Sequence, residues 1–212
     1  MAQTPPNLTF FLLLSLLILT LVRADHTVVH HRSRARAFIE FQCRRATLYP
    51  DLCVRTLSFY AHSLSIPPSH KQLAQFALRV TLARAQSTRA YVTQVANGLN
   101  WAKARDYQSI RQCLDQINDG VDQLTNCIKE TQKIRDDMVG TRDFSWRESN
   151  VKTWMSTALT DTSMCVDGFS GQAIGGKTKA IIKAKVLNLQ QVTSNALALF
   201  NRFAARYKAA HM

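Results

Sequence analysis

Helix breakers are scarce in this chain, with seven Gly and five Pro in 212 residues. No run alternates Val, Ile or Thr with polar residues in the way a half-buried strand does. Together these shortages argue against a sheet and for helices. Neither H-E-x-x-H nor C-x-x-C occurs, so two familiar frames for a metal or redox centre are missing. "GFSGQ" (Gly168–Gln172) falls short of the G-x-S-x-G nucleophile elbow, and no set of His, Ser or carboxylates has catalytic spacing. No enzyme is expected. The apolar run "FFLLLSLLILTLV" (Phe10–Val22) has thirteen residues, short for a bilayer span and right for the core of a signal peptide. "VRA", ending at Ala24, offers the cut, so residues 1–24 are expected to be a signal peptide. The sequon Asn7-Leu8-Thr9 lies inside that segment and would leave with it.

What is present is mostly positive charge, unevenly placed. The formal net charge is +13. Residues 25–105 hold 12 basic and 3 acidic side chains, residues 106–167 hold 7 and 11, and residues 168–212 hold 7 and none. An acidic middle thus sits between two basic flanks, a block-wise change of sign that suggests a surface meant for a basic partner. Its sharpest stretch is "CLDQINDGVDQL" (Cys113–Leu124). At 100° per residue Leu114, Ile117, Val121, Leu124 and Ile128 fall on one stripe, while Asp115, Asp119 and Asp122 form another on the far side. The plain alternative is a solvated helix face.

The periodicity predicts four long amphipathic helices. The first runs from an N-cap at Ser69 to Gly98, with Leu73, Phe76, Val80 and Ala83 inward. The second covers roughly Ala102–Met138. The third starts near Ser149-Asn150 and ends near Gly168, with Val151, Trp154, Ala158 and Cys165 on one face. The fourth runs from about Lys177 to Tyr207 on Ile182, Val186, Leu189, Thr193, Ala196, Phe200, Phe203 and Tyr207. Ahead of them two short helices meet at Tyr49-Pro50, and "IPPS" (Ile66–Ser69) separates the parts. Four such helices with short connections make an antiparallel four-helix bundle the economical all-α fold.

Several chemical readings can be weighed from the residues. "GQAIGGKT" (Gly171–Thr178) matches the phosphate-loop pattern letter for letter, but no strand precedes it, so a Gly-rich turn into the fourth helix is expected. His26, His30 and His31 cluster on an N-terminal arm and are not expected to form a metal site. The basic charge lacks interleaved aromatics, and secretion disfavours nucleic acid, leaving an extracellular acidic polysaccharide as a nonspecific ligand. Five cysteines in a secreted chain imply two disulfides and one leftover thiol, and spacing alone leaves their pairing open.

Three motifs carry a resemblance. "TLYPDLC" (Thr47–Cys53) follows a first cysteine, Cys43. "CLDQINDGVDQL" resembles C-L-x-x-x-x-D-x-V-D-x-L. "VKTWMSTALTDTSMCVDGF" (Val151–Phe169) resembles V-x-T-W-x-S-A-A-L-T-x-x-x-T-C-x-D-G-F. With the signal segment, they make the mature chain similar throughout to the plant invertase/pectin methylesterase inhibitor family.

That resemblance implies an up-and-down four-helix bundle behind a short helical hairpin: hairpin and arm at 25–66, bundle at 67–212, one inhibitor domain over 33–208. It implies disulfides Cys43–Cys53 and Cys113–Cys165, with Cys127 free, and no cofactor. It further implies a protein without activity of its own, secreted to the apoplast and cell wall, that covers the substrate cleft of pectin methylesterase one-to-one. The second and third bundle helices make that contact in the family, and many of its target enzymes are basic. Carried over by motif, the contact positions are Asp115, Asp119, Asp122 and Asp167, with Met164 standing where the family usually has Thr. Invertase inhibitors of the family dock through a Pro-Lys-Phe element that "SGQAIGGKT" (Ser170–Thr178) lacks, so pectin methylesterase is the expected partner and invertase the alternative. A cell-wall protein that binds acidic pectin, with no enzyme target, is the third reading. The pro-region of a larger esterase is a fourth, against which the end at Met212 weighs.

Overall fold

The computed structural model describes residues 10, 13–15, 31–98, 104–138, 140–169 and 176–209, and these contain helices and turns but no strand. Helix α1 spans 31–46, and α2 spans Pro50–Leu57, with Pro50 in its first turn, where its missing N–H leaves no bond unmade. A 3-10 turn, Ser58–Ser63, follows. The long helices are α3 (His70–Asn97), α4 (Ala104–Lys133), α5 (Arg142–Gly168) and α6 (Gly176–Ala209).

Pairs of contacts show how the four long helices run. Between α3 and α4, Gln75 Nε2 donates to the Thr131 carbonyl and the Lys71 ammonium to the Ile134 carbonyl just past the end of α4. Between α4 and α5, Cys113 bonds Cys165 while Glu130 pairs with Arg147. Between α5 and α6, Ser163 meets Gln190 and Glu148 meets Lys208. Between α6 and α3, Thr81 Oγ1 donates to the Val192 carbonyl and Lys185 lies over the Tyr91 ring. In every pair the numbers rise on one helix as they fall on the other, so each neighbour is antiparallel and α3, α4, α5 and α6 close into a four-helix ring.

The buried side chains follow the 3.6-residue period. On α6, Ile182, Val186, Leu189, Ala196, Phe200 and Phe203 face inward, and buried Thr193 satisfies its hydroxyl on the Leu189 carbonyl. The hairpin of α1 and α2 caps one end of this core. Ala35, Ile39 and Cys43 present a single stripe from α1, and the Cys43–Cys53 disulfide closes the hairpin. Buried Asn195 of α6 then locks the turn. It accepts from the Tyr49 N–H at 3.1 Å and donates to the Tyr49 carbonyl at 2.9 Å.

Three boundary or facing expectations need correction. Helix α4 ends at Lys133, not Met138, because fully buried Ile134 turns into the core and a separate 3-10 turn (Asp136–Met138) follows. Helix α5 begins at Arg142, about two turns before Ser149, since Thr141 caps it by accepting from the Phe144 N–H and Phe144 is an interior anchor. On α3 only Leu73 of the four residues expected inward is fully buried. The ring-facing stripe is Leu73, Ala77, Leu78, Thr81, Ala85, Thr88 and Val92, whereas Phe76 and Val80 are half-buried and Ala83 is exposed. Phe76 and Val80 turn toward the hairpin side instead, where Phe76 stacks on Tyr60 at 5.0 Å and Val80 lies beside Thr56 and Leu57. Ala102, His26, His30 and Gly171–Gly175 lie outside the described residues, and Gly176 opens α6.

Candidate functional site

Helices α4 and α5 carry the acidic part of the chain, and their shared outer surface is where the expected contact residues meet. On α4, Leu114, Ile117, Val121 and Leu124 are buried, which turns Asp115, Asp119 and Asp122 to solvent. On α5, Met164 and Asp167 are likewise exposed, Met164 to 48%. The Cys113–Cys165 bridge joins the two helices beside these residues, with Cα atoms 4.4 Å apart. All five contact candidates therefore lie on outward surface of one stapled helix pair.

The arrangement also brings in residues outside the expected contact set. Asp161 of α5 is half-buried, and one of its carboxylate oxygens is enclosed without a hydrogen-bond partner. Burial, and then the charge of Asp119, push its pKa up from the ordinary Asp value, so these two carboxylates repel each other across the α4–α5 seam. Thr153, Thr157 and Thr160 precede Met164 and Asp167 at steps of four, three, four and three, making one continuous stripe along α5. Thr153, Thr157 and Thr160, with Lys152 and Ser156, line a shallow groove. A helical wheel of α5 holds the threonine stripe in plain view. The opposition of Asp161 to Asp119 depends on how two helices pack.

Ion pairing separates the carboxylates of this pair into two groups. Glu130 is held by Arg147 and Lys133, Asp143 by Arg147, Glu148 by Lys152 and Lys208, Asp137 by Arg135 and Asp136 by Lys71. Burial alone would raise the Glu148 pKa, but the two ammonium groups outweigh it and hold it below the usual value. Among the described residues, no Lys or Arg forms an ion pair with Asp115, Asp119, Asp122, Asp161 or Asp167. The first group is spent inside the fold. The second remains available to a cation from another molecule.

The remaining candidates contribute less. Cys127 is free and buried, with its thiol against the Val151 carbonyl, and burial pushes its pKa up to about 12, so it is not a nucleophile. No group of three or more His, Cys, Asp or Glu suited to a metal occurs among the described residues, nor does any described helix have the length and apolarity to cross a membrane.

Exposed carboxylates gathered on one disulfide-joined helix pair make this bundle a candidate docking scaffold. Comparison with known proteins narrows the class. The profile of the plant invertase/pectin methylesterase inhibitor family matches residues 37–199. Pectinesterase inhibitor 9 of Arabidopsis thaliana is 41% identical over 198 residues, covering 93% of this chain and 95% of that protein. Pectinesterase inhibitor 11 of the same plant is 40% identical over 198 residues, with 93% and 96% covered. The fold matches the crystal structure of a mutant form of a pectin methylesterase inhibitor from Arabidopsis, with a TM-score of 0.56 at 19% identity over 75% of this chain and 92% of that one. The chain belongs to the plant invertase/pectin methylesterase inhibitor family, which marks it as an inhibitor rather than an enzyme.

Proposed function

We propose that this protein is a secreted inhibitor of pectin methylesterase that seats the α4–α5 face over the enzyme's substrate cleft in a one-to-one complex. The observation that carries this reading is the set of exposed carboxylates Asp115, Asp119, Asp122 and Asp167, with half-buried Asp161 at the seam, none of which pairs with a cation among the described residues. The names of the relatives supply the enzyme class. A signal peptide at residues 1–24 would deliver the protein to the cell wall, where that enzyme's polymeric substrate lies.

The face has the size and chemistry for the task. At 1.5 Å per residue a helix of 30 residues is ~45 Å long, and two such helices side by side offer roughly 900 Å². A stable interface needs about 800 Å² from each partner. Clustered negative charge accelerates encounter with a basic partner. Once seated, Arg or Lys of the partner would relieve the Asp119–Asp161 repulsion, the threonine stripe would offer hydroxyls, and Met164 would give an adaptable apolar contact. The disulfide-joined helix pair would then exclude substrate by occupying its volume.

Methanol release from methylated pectin should fall stoichiometrically as the protein is added to pectin methylesterase, while sucrose hydrolysis by acid invertase stays unchanged. Inhibition of invertase alone would overturn the reading.

A further inference from the structure

On the side of the molecule where the hairpin meets α3, two contiguous grooves of about 790 and 420 Å³ share Arg55 and Phe59 as common walls. The larger one runs between α2, the Ser58–Ser63 turn, α3 and Asn188 of α6, and the smaller continues between α1 and the same turn. Arg84 stands in the first, Arg32, Arg36 and His62 in the second, and no acidic side chain lines either. The only acids in residues 31–98 are Glu40 and Asp51, and both pair with Arg44. Arg32, Arg36, Arg55 and Arg84 form no ion pair among the described residues. Four guanidinium groups thus line the two adjoining grooves with no ion-pair partner among the described residues.

Aromatic rings complete the grooves. Phe59 is 78% exposed and presents an open ring at the wall that the two grooves share. Tyr60 forms part of the wall and is held by stacking on Phe76 at 5.0 Å, with Arg79 over the other ring at 5.9 Å. Guanidinium forks match planar carboxylates, and an open aromatic ring matches the C–H face of a sugar. Two adjoining grooves that combine both features suit a linear polymer of acidic sugars.

We infer that this groove binds a carboxylated polysaccharide, with Arg32, Arg36, Arg55 and Arg84 taking successive carboxylates and Phe59 stacking on a sugar ring. The choice of carboxylates over other anions rests on the inhibitor reading, because an esterase acting on a methylated polymer leaves carboxylates behind. The groove itself does not rest on it. A single-stranded nucleic acid would be served by a series of open rings for successive bases, whereas Phe59 stands alone. Because the groove lies on α2, α3 and α1, away from the outer surface of α4 and α5, both surfaces can be occupied together. The protein would then be held on the product side of the reaction that its other face blocks.

The test uses the full mature chain with no esterase present, so it succeeds or fails independently of inhibition. Calorimetric titration with an oligogalacturonate of defined length should show binding at physiological salt, and its fully methyl-esterified form should bind at least tenfold more weakly. Arg55→Glu with Arg84→Glu should lower affinity about tenfold or more, and the uncharged change Phe59→Ala severalfold, with circular dichroism unchanged. The charge-matched control Lys177→Glu with Lys183→Glu, on exposed α6 surface, should stay close to the parent. Equal loss in that control would mean that only net charge matters and overturn the site. So would absence of binding, equal binding of the methyl ester, or tighter binding of a single-stranded oligonucleotide of the same charge.

Discussion

The two ends of the α4–α5 pair treat the same side chain in opposite ways. Toward the hairpin, Glu130, Asp143 and Glu148 meet Arg147, Lys133, Lys152 and Lys208, and the Glu130 and Glu148 carboxylates are nearly closed off from water. Toward the Cys113–Cys165 bridge, Asp115, Asp119, Asp122 and Asp167 are exposed and meet no cation, and Asp161 is crowded by Asp119. Composition cannot separate these groups. A carboxylate that its own fold neutralises is used up in the fold, whereas one left unneutralised costs the fold a little and stays open to a partner's cation.

The largest effect expected from breaking this contrast is on inhibition. Asp119→Lys with Asp122→Lys should remove about 2–5 kcal/mol of binding, read as weaker inhibition of methanol release, while the thermal midpoint stays close to the parent. Unchanged inhibition at physiological salt would reduce the acidic end to solvated surface. Next in size is the staple between the helices. Replacing Cys113 and Cys165 together by Ser should cost about 2–4 kcal/mol in denaturant unfolding, because the bridge closes a loop across a sequence separation of 52.

At the paired end, Glu148→Gln should cost about 1.5–3 kcal/mol by thermal or denaturant unfolding, since it weakens two charge-assisted bonds to a buried group. Its pKa is depressed in the folded protein, so the stabilisation is complete above the ordinary Glu value and is lost as pH falls through the folded one. The parent–variant difference should therefore close in acid. Asp161→Asn should behave with the reverse sign and the smallest size. The Asp161 pKa is raised in the fold, so the parent loses stability as pH climbs from the ordinary Asp value through the folded one. The Asn variant should match the parent in acid and gain at most about 0.5 kcal/mol at neutral pH. Melting curves for both variants between pH 3 and pH 7 would set the two ends side by side.

Much of the architecture was legible before any coordinates. Sparse Gly and Pro, apolar residues at steps of three and four, Ser69 ahead of α3 and Gly98 behind it are local signals, and the helices read from them are those observed. The stripe that puts Leu114, Ile117, Val121 and Leu124 inside and the three aspartates outside is equally local, because a single helix's geometry sets it. Legibility fails wherever a second element decides. Phe76 and Val80 meet the hairpin instead of the ring, Phe144 draws the start of α5 back to Thr141, and Ile134 pulls α4 to an early end.

The same divide runs through the candidate site. Periodicity and charge placed Asp115, Asp119 and Asp122 on one outward helix face, since side-chain direction along a helix follows from the 100° step alone. Only packing across helices decided that Arg147 reaches Glu130 and Lys208 reaches Glu148 and not these aspartates, that Asp161 stands against Asp119, and that Arg55 and Arg84 share a groove with Phe59. Those pairings join residues far apart in the chain. Their energies depend on distance and on exclusion of water, which a linear order of residues does not contain.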